Sequence, residues 1–230
     1  MDQKLFVPIA IVIAGALIAG SLFFAGQSAA PSNNGTGAGE EQTADIASVS
    51  PDEHILGNPE AEILIVEYSD IECPFCKQFH VTMKQIIDEY GPDGNVAWVY
   101  RHFPLQQLHP NAPLLAEASE CVAELGGNSA FWNFLDEIFA AAPGNAQFPL
   151  NQLNATVEKV GVETGAFDAC MESERHRATV EAQFNDAIAS GGQGTPHNVI
   201  VVRSTGENIP LPGAQPYATV KNVIESLLGN

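Results

Sequence analysis

Apolar and polar residues alternate along this chain with changing periods, and the periods place the elements. Glu62–Ser69, EILIVEYS, is a short β-branched run between Asn58-Pro59 and a pair of cysteines, and it reads as a buried strand. Phe75, Phe79, Met83, Ile86 or Ile87, and Tyr90 then recur at steps of three and four. They form one face of a helix that Gly91-Pro92 stops. Asn95–Phe103, NVAWVYRHF, returns to strand. From about Pro110 to Ser190 the pattern is helical, in segments closed by Gly126-Gly127, Pro143-Gly144, Gly161 and Gly191-Gly192. Asn198–Val202 is a strand, STGE is a turn, and a short strand follows near Asn208–Leu211. The last helix sets Tyr217, Val220, Val223 or Ile224, and Leu227 or Leu228 on one face. The order is strand–helix–strand, a helical block, strand–strand–helix. That is an α/β fold with a helical insertion at about 110–190.

The N-terminus departs from this pattern. Leu5–Ala25 holds no charge, which at about 1.5 Å per residue is long enough to span a bilayer as a helix. A cleaved secretory signal has a shorter apolar region, roughly 7–15 residues, although Gln27–Ala30 resembles a cleavage site. Residues 1–25 are therefore expected to be an uncleaved transmembrane anchor. Lys4, the only early positive charge, favours the N-terminus inside. Residues 26–50 are rich in Gly, Ser, Asn, Ala and Thr and read as a flexible linker, leaving 51–230 as the folded domain.

Composition narrows the function. With 45% hydrophobic residues in 230, the chain can bury a sizeable core. A net charge of −19 argues against nucleic acid and against polybasic docking to anionic lipid. Four cysteines are too few for a disulfide-dense scaffold.

Two of them form Cys73-Pro74-Phe75-Cys76, where the first strand meets the first helix. A zinc clip would need a second close pair, or a Cys/His pair at ligand spacing, and the sequence has neither. No metal or cofactor is expected. A structural bridge over so short a loop would constrain the unfolded chain little. The redox reading has a mechanism. A cysteine at a helix N-terminus faces unpaired N–H groups and the positive end of the dipole. A contribution of up to ~2 kcal/mol would lower its pKa by roughly 1.5 units, to about 7. Pro74 suits the first helical position, where its missing N–H costs nothing. Cys73 is thus the expected exposed nucleophile, and Cys76, one turn in, the buried resolving thiol.

At these residues the chain resembles the thioredoxin-fold thiol–disulfide oxidoreductases, and specifically the DsbA-like group, over about Glu53–Asn230. The resemblance is carried by VEYSDIECPFC, by YRHFPLQQLHPNA with its His109-Pro110-Asn111-Ala112, and by ASECVAELGGNSAFWNFLDEIF. It is carried also by GTPHNVIV, which holds Thr195-Pro196, and by GAQPY at Gly213–Tyr217. It implies a thioredoxin-like core with an inserted helical domain. It also implies a cis Pro196 facing the cysteine pair, with backbone beside Thr195 and Pro196 that pairs with substrate. In the family the position of Glu67 holds an acid beneath the active site that handles the proton of the buried cysteine; the alternative for Glu67 is a solvated strand end. Relatives usually carry a threonine and aromatics after the cis-proline. Here His197 and Asn198 stand there, and His197 either touches client or thiolate or points elsewhere. Phe75, unlike the histidine of strongly oxidising members, cannot stabilise a thiolate, so a less extreme oxidant is expected.

Cys121 and Cys170 lie in the helical block, and in an oxidising compartment they are expected to bridge two helices. His54, His80, His102, His109 and His176 read as surface or loop residues. With the expected anchor, the resemblance points to a membrane-tethered, extracytoplasmic enzyme with Cys73, Cys76 and Glu67 as catalytic residues. It would donate disulfides to exported proteins and be reoxidised by a membrane redox partner. A disulfide reductase or isomerase of the same fold is the alternative. A tethered binding module or chaperone that does not turn over is the second, and a metal chaperone the third.

Overall fold

Ile63–Ser69 (β2) is buried along its whole length, as an apolar β-branched run bounded by turn residues requires. In the computed structural model, which describes residues 44–142 and 147–229, it lies at the middle of a five-stranded sheet. The strand order is β1-β3-β2-β4-β5, with β1 at His54–Gly57, β3 at Val96–His102, β4 at His197–Val202 and β5 at Glu207–Pro212. β2 and β3 pair in parallel, Ile63 opposite Val96 and Ser69 opposite His102; the other pairs are antiparallel. A parallel pair needs a crossover. Helix α1, Pro74–Tyr90, supplies it and buries Cys76, Phe79, His80, Met83 and Ile86 at helical spacing.

Alternation divides the core into two faces. Ile63, Ile65, Trp98 and Tyr100 pack with Cys76, Phe79 and Met83 of α1. Leu64, Val66, Tyr68, Ala97 and Val99 pack on the other side with Phe103 and Ala187. Glu67 continues the series of Ile63 and Ile65, so it shares the face that carries the cysteine helix. The solvated strand end is therefore excluded: Glu67 is 1% exposed.

The insertion is helical as expected. It contains α2 (Ala112–Ala141), a 3-10 turn at Leu150–Gln152, α3 (Leu153–Lys159), α4 (Thr164–Glu172) and α5 (Arg177–Ala189); α6 (Tyr217–Leu228) ends the chain against α1. Gly127, at φ 78° and ψ −179°, interrupts α2, so the two helices expected on either side of Gly126-Gly127 meet at a kink with no loop between them.

Cys121 of α2 and Cys170 of α4 form a disulfide, their Cα atoms 5.9 Å apart and 49 residues apart in sequence. Closing so long a loop is worth about 4 kcal/mol in the chain-entropy model, an upper figure. Replacing both with Ala is therefore expected to lower the thermal midpoint by roughly 8–16 °C, at about 2–4 °C per kcal/mol. An unchanged midpoint would remove the bridge from the stability account.

Other expectations change. His102 and His80 are buried, not surface residues. The linker ends earlier than Ser50. Ala44 pairs with Asn208 of β5, Ala47 N–H donates to Asp186 at 2.9 Å, and Ile46 and Val49 pack on the sheet. Buried Arg101 ties this segment down by donating to the Ala47 carbonyl and to Glu53. The expected anchor, residues 1–25, lies outside the described residues. Among the described residues no helix is long and apolar enough to cross a membrane.

Candidate functional site

The loop from β2 into α1 sets the cysteines, and two buried carboxylates hold it. Asp70 accepts from Glu72 N–H at 2.8 Å and from Leu105 N–H at 2.7 Å, and it pairs with His109 Nδ1 at 2.9 Å. Glu72 accepts from the N–H and side chain of Asn111, at 3.0 and 3.3 Å, and from Phe148 N–H at 3.3 Å. A buried carboxylate is costly unless its lone pairs are filled, and here backbone donors of distant loops fill them. His109-Pro110-Asn111 is a family segment by its sequence, whereas no local pattern marks Asp70 and Glu72 as its partners. The available signal was two acids flanking Ile71 in an otherwise apolar stretch.

Cys73 takes the N-cap position of α1 with extended φ/ψ, and Pro74 follows at the first helical position. No side chain caps this end, so its N–H groups stay directed at the Cys73 sulfur. Cys73 is not exposed, as the sequence suggested, but only 4% accessible. The loop before β4 covers it, bringing the Thr195 carbonyl to 3.4 Å from Cys73 Sγ. The Thr195–Pro196 peptide bond is cis. Cys76 is fully buried, and its sulfur accepts from Asp70 N–H at 3.4 Å. Phe75 between them is 60% exposed and presents an apolar surface beside the cysteine pair.

The two thiols differ sharply. Cys73 is brought from 9.0 down to about 6, chiefly because the Cys76 S–H donates to its thiolate; burial opposes this, and Thr195 and the N–H groups of Cys76 and Phe75 assist. Cys76 is held well above its ordinary value, first by burial and then by donating to Cys73 and facing Glu67. One negative charge therefore sits on the pair, and it sits on Cys73. The helix-end argument alone reached about 7; the sulfur and threonine donors go further.

Glu67 lies beneath. Ser69 Oγ donates to it at 2.7 Å and Trp98 Nε1 at 3.0 Å. Burial nevertheless pushes its carboxyl from 4.5 up to about 8, the two donors opposing and the Cys73 charge adding to the rise. At neutral pH it is mostly an uncharged acid beside a buried thiol, able to give or take one proton.

Thr195 Oγ1 is buried with no partner among the described residues while Cys73 is a thiol. Its hydroxyl is free to donate to the thiolate. Thr195→Val is expected to raise the Cys73 pKa by about one unit, from a charge-assisted bond of about 1.5 kcal/mol. The pH dependence of Cys73 alkylation measures it, and an unmoved midpoint would show that the hydroxyl takes no part. His197 points elsewhere. Its Nε2 meets Ser190 Oγ at 3.0 Å and its ring lies against Tyr68. Asn198 is buried and donates to the carbonyls of Leu211 and Gly213, both at 3.0 Å, bracing β4 against the segment before α6.

Comparison with known proteins gives a consistent outcome. The family profile described as Thioredoxin matches residues 49–214. DsbA2 of Pseudomonas aeruginosa is 27% identical with a TM-score of 0.64, covering 79% of this chain and 97% of that one. BdbD of Bacillus subtilis, in its oxidised form, is 20% identical with a TM-score of 0.70, covering 82% and 98%, a likeness of fold. The Na(+)/H(+) antiporter NhaA 3 of Salinispora tropica is 31% identical over 152 residues, 66% of this chain. The chain spans only 22% of the length of that curated relative, so the name describes far more protein than is shared.

Proposed function

The chain belongs to the thioredoxin family and is an oxidoreductase with the DsbA-like fold, and from this premise we propose that it donates disulfides to exported proteins through Cys73 and Cys76. The observation that carries the reading is the unequal pair: a Cys73 thiol brought down to about 6 against a Cys76 thiol held well up. A client thiolate attacks the sulfur of Cys73 in the Cys73–Cys76 disulfide. The S–S bond breaks, its electron pair goes to Cys76, and the neutral Glu67 carboxyl supplies the proton. The client is now joined to Cys73 by a mixed disulfide. A second client thiolate attacks the client's own sulfur and expels Cys73 as a thiolate, a good leaving group because its pKa is low. The client has lost two electrons and the enzyme has gained them. A membrane redox partner takes them back. Thr195 and Pro196 present backbone for client pairing, and Phe75 offers an apolar contact.

The charge-free run Leu5–Ala25 supports an anchor with the catalytic domain outside the cytoplasm. Thiolate stability supports the oxidising direction of electron flow without fixing the potential. Lowering Cys73 from 9.0 to about 6 favours the reduced enzyme, by roughly 1.4 kcal/mol or 30 mV at pH 7. That makes it the better oxidant. Phe75 contributes no charge, and this favours a moderate potential over an extreme one; a reductase or isomerase is the reading if the potential is low. Equilibration with glutathione buffers measures it. The oxidase reading expects a value well above about −270 mV, and a value at that reducing end would reverse it.

A further inference from the structure

His54, His102 and Glu120 are remote in sequence and meet at one point. They come from the edge strand β1, the last residue of β3 and the first half of α2. Glu120 Oε1 lies 3.1 Å from His54 Nε2 and 3.1 Å from His102 Nε2. These groups offer one ligand atom each, all within 4.8 Å of one another. Both rings converge on the same carboxylate oxygen. His54 is fixed in plane by stacking on Phe131 at 3.6 Å between centroids, and Ser119 Oγ lies 3.4 Å from His102 Nε2. A pocket lined by Asp52, Glu53, His54, Glu120, Glu124 and His176 opens in front of the cluster.

We propose that His54, His102 and Glu120 form a binding site for one divalent transition ion of the zinc class. Two donors at 2.0–2.2 Å from a tetrahedral ion stand roughly 3.4 Å apart; the two separations to Glu120 Oε1, 3.1 Å each, lie near that value, and the third, between the imidazoles, is within 4.8 Å and would adjust on binding. Two imidazole nitrogens with one carboxylate oxygen suit zinc and its neighbours, whereas calcium and magnesium take oxygen shells. His54 and Glu120 line the pocket, so water could reach an ion held between them. Asp52 at its wall, on a chain of net charge −19, favours cations at the mouth, while Glu53 and Glu124 there are already paired with Arg101 and Arg175. The bound ion would join the edge strand, the central sheet and the inserted helix, next to the Cys121–Cys170 bridge. Its role would be structural, since the cysteine pair supplies none of the ligands. Its ligands share no local spacing, so no motif marks them.

The test uses the full chain in detergent with both cysteine pairs oxidised, so that no thiol competes for metal. Zinc alone is titrated by calorimetry, and cobalt(II) by its visible spectrum. The site predicts one ion per chain, a cobalt spectrum of a nitrogen–oxygen site, and a thermal midpoint that rises with zinc because only the folded chain binds it. His54→Gln at the rim and Glu120→Gln should each weaken binding by more than about tenfold and remove the thermal rise. Absence of saturable binding overturns the proposal. So does one-to-one binding that survives unchanged in both variants, which would place the ion on surface carboxylates.

Discussion

Cys73→Ser is expected to abolish thiol–disulfide exchange, and Cys76→Ser to stop it one step later. Serine cannot form the bond that is passed on, so turnover with a dithiol client should fall by at least about 10³-fold, the scale of losing a nucleophile with no substitute. Cys76→Ser keeps Cys73 at the helix N-terminus beside Thr195, with its backbone donors in place. Such a protein can enter a mixed disulfide but lacks the second enzyme sulfur. It should accumulate as covalent complexes with its clients, visible on non-reducing gels and cleaved by dithiothreitol. Equal activity of the two variants would contradict the division of labour between an ionised Cys73 and a proton-bearing Cys76. Full activity of Cys73→Ser would favour a binding module or chaperone.

Glu67→Gln is expected to change both stability against pH and turnover. The carboxyl titrates at 4.5 in the unfolded chain and at about 8 in the fold, so folding takes up a proton between those values. Its contribution is fully present below 4.5 and is lost as the pH rises through about 8. At about 1.4 kcal/mol per unit the loss approaches roughly 5 kcal/mol, an upper figure. Glutamine keeps the size and cannot ionise. The variant should therefore hold its stability from pH 5 to 9 where the parent falls. The comparison belongs on the protein with Cys73 and Cys76 oxidised, where burial, the largest cause, still raises the Glu67 carboxyl but the Cys73 charge no longer adds to it, so the fall is smaller; the reduced Cys73 would contribute with the opposite sign, its stability present above 9 and lost as the pH falls through about 6. Turnover at neutral pH should drop by roughly 10²-fold, the usual scale for removing a positioned acid or base. Parallel stability profiles for parent and variant would show that Glu67 is already ionised in the fold.

The cysteine site was legible in the sequence to different depths. The strand-to-helix junction fixed the position of Cys73, and the resemblance pointed to Glu67 beneath it while a solvated strand end stayed open until the fold showed it on the face of the cysteine helix. The GTPHN segment marked Thr195 and Pro196. The covering of Cys73 was not legible, because the Thr195 carbonyl that shields it belongs to a loop more than a hundred residues away. The bracing of the cysteine loop was hidden in the same way. Asp70 and Glu72 are satisfied by Leu105, His109, Asn111 and Phe148, and no local pattern pairs them. Strand β1 was missed because four residues at a sheet edge carry too little periodicity. His102 falls within the expected strand Asn95–Phe103 but was expected to lie at the surface or in a loop; it ends a strand buried throughout. Burial on both faces removes the alternation that would have told its side chain's burial.

The ionisation of Cys73 tests the central claim most directly. Thiolate absorbance of the reduced protein, followed in the ultraviolet across the pH range, should show a first ionisation near 6 that vanishes in Cys73→Ser. A first ionisation near the ordinary value of 9.0, or one near 6 that persists without Cys73, would contradict the assignment of Cys73 as the attacking and leaving sulfur.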